Sequence, residues 1–302
     1  MSKPVFVGAA VAIVTPFYDD GGINFDELKK LIEFQIEQKI DSIVICGSTG
    51  EAATMTEEEH IAAIKFAVDT VAGRVPVIAG TGSNDTAFGV SLTKKAYELG
   101  ADAALLVTPY YNKCTQEGLY LHYAKIAQAV PEMPLILYNV PSRTNVNISP
   151  EILKRLSVFE NIVGIKECNF AQVPEIYNLC GDRYAIVSGE DALVVPLLSL
   201  GGKGVISVVA NILPNEMSTM VHAYLDGDLE KAKELQIKMI PLVKALFSEV
   251  NPIPVKEAMS ILGWNTGSCR LPLCGMTKSN RDKMVDVLAQ YDTSAMNGYI
   301  AK

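Results

Sequence analysis

Lys166 closes a short apolar run, Ile162-Val163-Gly164-Ile165, that reads as a buried strand. An ammonium there is costly unless it is paired or neutralised, and a lysine so placed tends to titrate low. A neutral amine is a nucleophile toward carbonyl carbon, so the position suggests Schiff-base chemistry. The competing reading is an ordinary strand-end lysine whose stem packs on apolar surface and whose head reaches water. The residues that would share its surroundings decide between the two.

Those surroundings depend on how the chain alternates. Apolar runs at 10–14, 42–46, 77–79, 103–107, 135–138, 162–166, 185–187 and 204–207 read as strands. Amphipathic stretches such as 26–38, 57–71, 86–99 and 117–129 lie between them. Thr56 ahead of Glu57-Glu58-Glu59 is an N-cap with a capping-box glutamate, and Ser149-Pro150 opens another helix with proline in its first turn. Eight such units describe an α/β fold of the (β/α)8 barrel type, with a doubly wound sheet as the alternative. The strands stop near residue 225, after which 229–247, 254–262 and 278–290 read as helices. The expected organisation is a catalytic barrel over 1–225 and a C-terminal helical extension over 226–302 packed on it.

Barrel active sites lie at the C-terminal strand ends. Thr15, the Gly47-Ser48-Thr49-Gly50-Glu51 segment, Thr81, Tyr110-Tyr111, Tyr138-Asn139, Lys166-Glu167, Gly189-Glu190 and Ser207 come after the strands and are expected at one mouth. Lys166 then shares that mouth with tyrosines and hydroxyls, which favours the nucleophilic reading. Glu167 is expected to point into the layer between barrel and helices, because successive strand residues face opposite ways.

Composition narrows the partners. The 302 residues carry a formal net charge of −8 with no basic block, so no nucleic-acid surface is expected. The longest apolar stretch, 193–200, is too short to span a bilayer, and the N-terminus shows no basic segment leading into an apolar run. A cytoplasmic protein without membrane contact is expected. The six cysteines form no CxxC pair and the three histidines lack neighbouring ligands, so neither a metal nor another cofactor is expected.

At these residues the chain resembles the pyruvate-dependent class I aldolase superfamily of N-acetylneuraminate lyase and dihydrodipicolinate synthase, over roughly residues 5–265. The markers are GSTGE at 47–51, TPYYN at 108–112, YNVPSRT at 138–144, GIKE at 164–167, GGKGVIS at 201–207 and NPIPVKEAM at 251–259. YNVPSRT points to the synthase branch, whose members condense pyruvate with aspartate β-semialdehyde in lysine and diaminopimelate synthesis. The resemblance implies that Lys166 forms the imine with pyruvate and that Tyr138 is the acid/base over it. It implies that Thr49 links Tyr138 to Tyr111 in a proton relay, and that Arg143 holds the semialdehyde's carboxylate. Ser48, Thr49, Gly189 and Ile206 would line the pyruvate pocket. Tyr111 would be supplied across a tight dimer interface, implying a homo-oligomer, expected to be a tetramer built as a dimer of dimers.

Two departures stand out within the motifs. Ser48 replaces the first threonine of the usual GTTGE but keeps a hydroxyl. Asn145 stands where the synthase often has glycine, and asparagine tolerates positive φ. In lysine-inhibited members a glutamate grips the effector where this chain has Phe88. Ala52 and Glu57 likewise replace a serine and a histidine, so lysine inhibition is expected to be weak or absent. The alternative activity is cleavage of N-acetylneuraminate or another 2-keto-3-deoxy sugar acid by the same lysine. A ligand-binding or phosphate-binding barrel built on Gly201-Gly202-Lys203-Gly204 is a third reading, weakened because that loop precedes the last strand.

Overall fold

The computed structural model describes residues 3–300. Eight strands form a closed, all-parallel barrel in sequence order: β1 (Gly8–Ala12), β2 (Ser42–Ile45), β3 (Val77–Gly80), β4 (Ala103–Val107), β5 (Leu135–Asn139), β6 (Ile162–Glu167), β7 (Ala185–Ser188) and β8 (Gly204–Ser207). Each strand is apolar on both faces because both are covered. Ala10, Ala12, Val44, Ile78, Leu105, Ile136 and Ile206 fill the lumen, whereas Val11, Ile43, Ile45, Leu106, Leu137 and Ile186 pack against the helices.

Strand β1 is displaced from the expected 10–14. Its ladder pairs Ala10–Ala12 with Ser42–Val44 and Gly8–Val11 with Gly204–Ser207. Ile13 and Val14 are equally buried but come after the last register pair, Ile13 N–H making only the closing bond to the Val44 carbonyl (3.1 Å), so apolarity there marked burial more than pairing. Helix Glu57–Val71 begins with the expected capping box: Glu59 N–H donates to Thr56 Oγ1 (3.2 Å) and Thr56 N–H donates to Glu59 Oε2 (3.0 Å). Helix Pro150–Leu156 is capped by Ser149, whose hydroxyl accepts from Ile152 N–H (3.3 Å).

An irregularity in β6 decides which way Lys166 points. The register of β6 with β5 slips between Leu135 and Ile136, so Leu135 pairs with Ile162 but Ile136 pairs with Gly164. Val163 faces the lumen and Ile165 the helices, although strict alternation would place both on one face. The extra residue resets the phase and turns Lys166 inward. Gly164 permits it, since a Cβ there would lie 2.7 Å from the Ala185 carbonyl oxygen.

Helices Leu229–Leu246, Ile253–Ile261 and Lys278–Leu288 lie beyond the barrel strands. Lys256 carries one of them back to the mouth: its Nζ lies 2.9 Å from Glu51 Oε1, and it also donates to the carbonyls of Thr15 (3.2 Å) and Ser268 (3.0 Å). Both side chains are almost fully buried. Among the described residues no helix is long and apolar enough to cross a membrane.

Removing one member of a buried ion pair strands the other charge, at a cost of about 3–5 kcal/mol. Lys256→Met is therefore expected to lower Tm by roughly 10 °C. A thermal melt unchanged from the parent would contradict this role for the pair.

Candidate active site

Tyr138 and Lys166 are register partners on β5 and β6, and both enter the top of the lumen. The Lys166 Nζ sits 4.3 Å from the centre of the Tyr138 ring, and the side chain is 6% exposed. Burial is the largest influence on the amine and pulls its pKa below the ordinary 10.5. Cys168, Asp191 and Glu190 pull the other way, while Arg143 reinforces the lowering. Burial likewise pushes the Tyr138 phenol far up, so it holds its proton across the neutral range. Gly189 closes over the lysine stem; a Cβ there would fall 2.3 Å from Cys168 Sγ and 3.1 Å from Lys166 Cε.

The loop after β2 reaches the site through a sharp turn. Cys46 (φ 55°) and Glu51 (φ 56°) are left-handed, and Gly50 is wedged against the Ile13 carbonyl and the Cys46 amide. A hydrogen bond with Ser48 is among the influences on the Tyr138 phenol and lowers it against the burial. Thr49 Oγ1 accepts from Asn251 Nδ2 (2.9 Å), toward which the left-handed entry at Cys46 turns it, and keeps its own proton to donate. The Asn251 carbonyl accepts from Arg143 Nη2 (3.0 Å), leaving the remaining guanidinium donors directed at the mouth. Arg143 lies in the short helix Pro141–Thr144, which ends in left-handed Asn145 (φ 55°) whose N–H donates to the Pro141 carbonyl (2.9 Å). The asparagine thus keeps the turn that glycine would make.

These groups line a cavity of about 490 Å³. Ser48, Thr49, Tyr138, Arg143, Lys166 and Gly189 all reach it, and so does Glu190. Ile206 does not; it fills the lumen below, and Val208 lines the wall instead, because β8 ends at Ser207 and the turn behind it carries the lining. Tyr111 lies outside, 91% exposed, with a left-handed φ of 72°. Several polar strand ends expected at the mouth also serve elsewhere. Thr15 Oγ1 donates to the Gly50 carbonyl (2.7 Å), Thr81 bonds Thr93 (2.8 Å), Ser207 Oγ accepts from Ala210 N–H (2.9 Å), and Asn139 bonds Glu167 in the outer layer.

Sequence reasoning missed Cys168 and Asn251 as lining residues. Strand parity, two residues on from Lys166, was signal enough for Cys168. Asn251 stands in NPIPVKEAM, but its place at the mouth depends on a contact 202 residues away in the chain. The Cys168 thiol, pushed up to about 12 chiefly by burial, is hydrogen-bonded to Glu190 and stays protonated. The arrangement can add an amine to a carbonyl, move a proton through a phenol and a hydroxyl, and hold a carboxylate at the rim.

Comparison with known proteins agrees with this chemistry. Residues 5–291 match the profile of the Dihydrodipicolinate synthetase family. The 4-hydroxy-tetrahydrodipicolinate synthase of Acetivibrio thermocellus is 55% identical, over 96% of this chain and 99% of the relative. The crystal structure of dihydrodipicolinate synthase from Aquifex aeolicus superposes with a TM-score of 0.93 at 46% identity, covering 95% of this chain and 99% of that one. The chloride-inhibited Acinetobacter baumannii dihydrodipicolinate synthase complexed with pyruvate gives 0.91 at 46% identity, over 94% of this chain and 98% of that one. With the barrel, the buried lysine–tyrosine pair and a match over nearly its full length, the chain belongs to the dihydrodipicolinate synthetase family.

Proposed function

We propose that this chain is a lyase that condenses pyruvate with L-aspartate 4-semialdehyde to 4-hydroxy-tetrahydrodipicolinate, in lysine and diaminopimelate synthesis. The observation that carries this reading is the Lys166 amine, held in a buried cavity 4.3 Å from the Tyr138 ring centre with Arg143 at the rim. The lowered amine pKa supplies neutral nucleophile. Nζ adds to the ketone carbon of pyruvate, and the resulting carbinolamine loses water when Tyr138 delivers a proton to the departing hydroxyl. The protonated imine then withdraws electrons, so the pyruvate methyl loses a proton and becomes an enamine. The enamine carbon attacks the aldehyde. The semialdehyde's own amine next displaces Lys166 at the imine carbon, which closes the ring and frees the enzyme.

Tyr138 is the acid/base in this scheme, and its bond to Ser48 gives the proton a way out. A free phenol with pKa ~10 is a poor base. Handing its own proton to a neighbouring hydroxyl as it takes one from the substrate avoids a full charge on the phenol. Arg143 holds the semialdehyde carboxylate through two parallel donors. Thr49 and Gly189 shape the pyruvate end. Tyr111 reaches the relay only from a second copy of the chain: it is a bulky residue in left-handed backbone, and it is exposed, as are Phe88 and Tyr110. The assembly we infer is a tetramer made of two tight dimers.

Turnover of pyruvate and L-aspartate 4-semialdehyde, coupled to dihydrodipicolinate reductase and followed as NADPH loss, tests the activity. Lys166→Ala is expected to abolish both turnover and borohydride trapping of pyruvate on the protein. Trapping that persisted at another lysine would refute the assignment. Tyr138→Phe removes the proton donor and leaves the amine, so kcat is expected to fall by roughly 10²–10⁴. A rate close to the parent's would remove Tyr138 from the mechanism. A second cavity of about 410 Å³ adjoins the first and is lined by Ala52, His60, Phe88 and Tyr110. Phe88 offers no anion there to an ammonium, so millimolar lysine is expected to inhibit weakly or not at all. Cooperative inhibition by lysine would show this expectation wrong.

A further inference from the structure

The strand ends that place Tyr138 and Lys166 in the lumen place their next residues, Asn139 and Glu167, on the opposite face, again as register partners. Glu167 is buried there among donors. Its Oε1 accepts from Asn139 Nδ2 (2.7 Å) and from the backbone N–H of Asn169 (2.7 Å), and its Oε2 accepts from Gln172 Nε2 (2.8 Å). The sense of the surrounding amides is not free. Ile148 N–H donates to Asn139 Oδ1 (3.0 Å), and the Ile148 carbonyl accepts from Gln172 Nε2 (3.0 Å). Asn147 bridges the rest, accepting from Asn139 Nδ2 (2.9 Å) and donating to Gln172 Oε1 (2.9 Å). Turning over either Asn139 or Gln172 would set donor against donor.

The position of residue 167 therefore takes only an acceptor. Burial raises the Glu167 carboxyl to about 7 even though these donors pull toward the ionised form. Main-chain bonds carry the tie inward: Cys168 N–H donates to the Asn139 carbonyl (3.0 Å) and Gly189 N–H to the Glu167 carbonyl (2.9 Å). The carboxylate thus joins β5, β6 and the segments at 147–148 and 169–172 at the level of the lysine and tyrosine.

We propose that Glu167 is a positioning residue for the reaction: it clamps β5 to β6 directly behind the reacting pair and sets how the Lys166 amine meets the Tyr138 phenol. This rests on the reading of Lys166 as the imine-forming residue. The carboxylate touches no reacting atom; its effect passes through two strand ends that share a polar core. Networks of this kind hold geometry only when every member is satisfied.

Glu167→Gln keeps the shape but turns an N–H₂ toward donors. The expected result is a kcat lowered roughly ten- to hundredfold, the order that small misplacements of reacting groups produce. KM for the semialdehyde should stay unchanged, and borohydride trapping of pyruvate should slow in step with kcat. Glu167→Asp, which keeps a carboxylate acceptor on a shorter stem, should lose less than Glu167→Gln. A merely structural role would give neither the split between kcat and KM nor the dependence on a carboxylate at 167. Should Glu167→Gln fail to fold, Asn139→Ser, which frees the carboxylate from β5 and also leaves Ile148 N–H and Asn147 Oδ1 without that partner, carries the same test. Parent-like trapping and kcat in the folded variant, or a loss in Glu167→Asp as large as in Glu167→Gln, would overturn the proposal. Absence of pyruvate trapping in the parent chain would overturn the reading of Lys166 beneath it.

Discussion

Taking the Lys166 amine out of water is the constraint on which the rest of this structure depends. Burial favours a neutral amine able to attack a carbonyl, but the proposed reaction then leaves a positive charge on the same nitrogen as an iminium. The groups around it answer both needs. Desolvation is the largest influence and acts before the chemistry, whereas Asp191 and Glu190 oppose it and act in favour of the cation. A carboxylate that hinders the free amine slightly is thus well placed to stabilise the charged intermediate. Removing the acids would leave the iminium uncompensated, and removing the burial would leave an ordinary solvated ammonium.

Placing a lysine there takes several departures from regular structure. The slip between Leu135 and Ile136 turns Lys166 inward, and Gly164 and Gly189 leave room for a neighbouring carbonyl and for the lysine stem. The left-handed residues Cys46 and Glu51 fold the loop after β2 so that Ser48 meets Tyr138. That loop is in turn held from the far end of the chain. Asn251 bonds Thr49 and Arg143, and Lys256 bonds Glu51. The helices beyond the barrel are therefore part of the site's support, because loop residues at the mouth have few other partners.

Much of this was readable in the residues themselves. Strands buried on both faces appear as unbroken apolar runs, so the barrel and most strand bounds came from periodicity and spacing, and Thr56 announced its helix through the capping box. Lys166 was conspicuous because a charge ending an apolar run demands an explanation, and Glu190 was expected at the same mouth because it trails a strand. What escaped was geometry that depends on one residue of phase or on long-range packing. The position of β1 was read two residues late because Ile13 and Val14 are buried without continuing the ladder. The directions in which Ser48 and Thr49 point rest on left-handed backbone at Cys46, a residue type that gives no hint of it. Asn251 could not be placed at the mouth without the fold. Tyr111 lies away from the cavity in the single chain, and no local pattern shows what covers it.

If burial activates the nucleophile, the folded protein holds Lys166 as an amine that loses its proton more readily than a free lysine. Competitive acetylation of Lys166 across a pH series, quantified by mass spectrometry of the peptide that carries it, measures this directly. The expected titration midpoint lies below the ordinary 10.5. A midpoint at or above that value would mean that the surrounding acids outweigh the burial, and the nucleophile would need another source of activation.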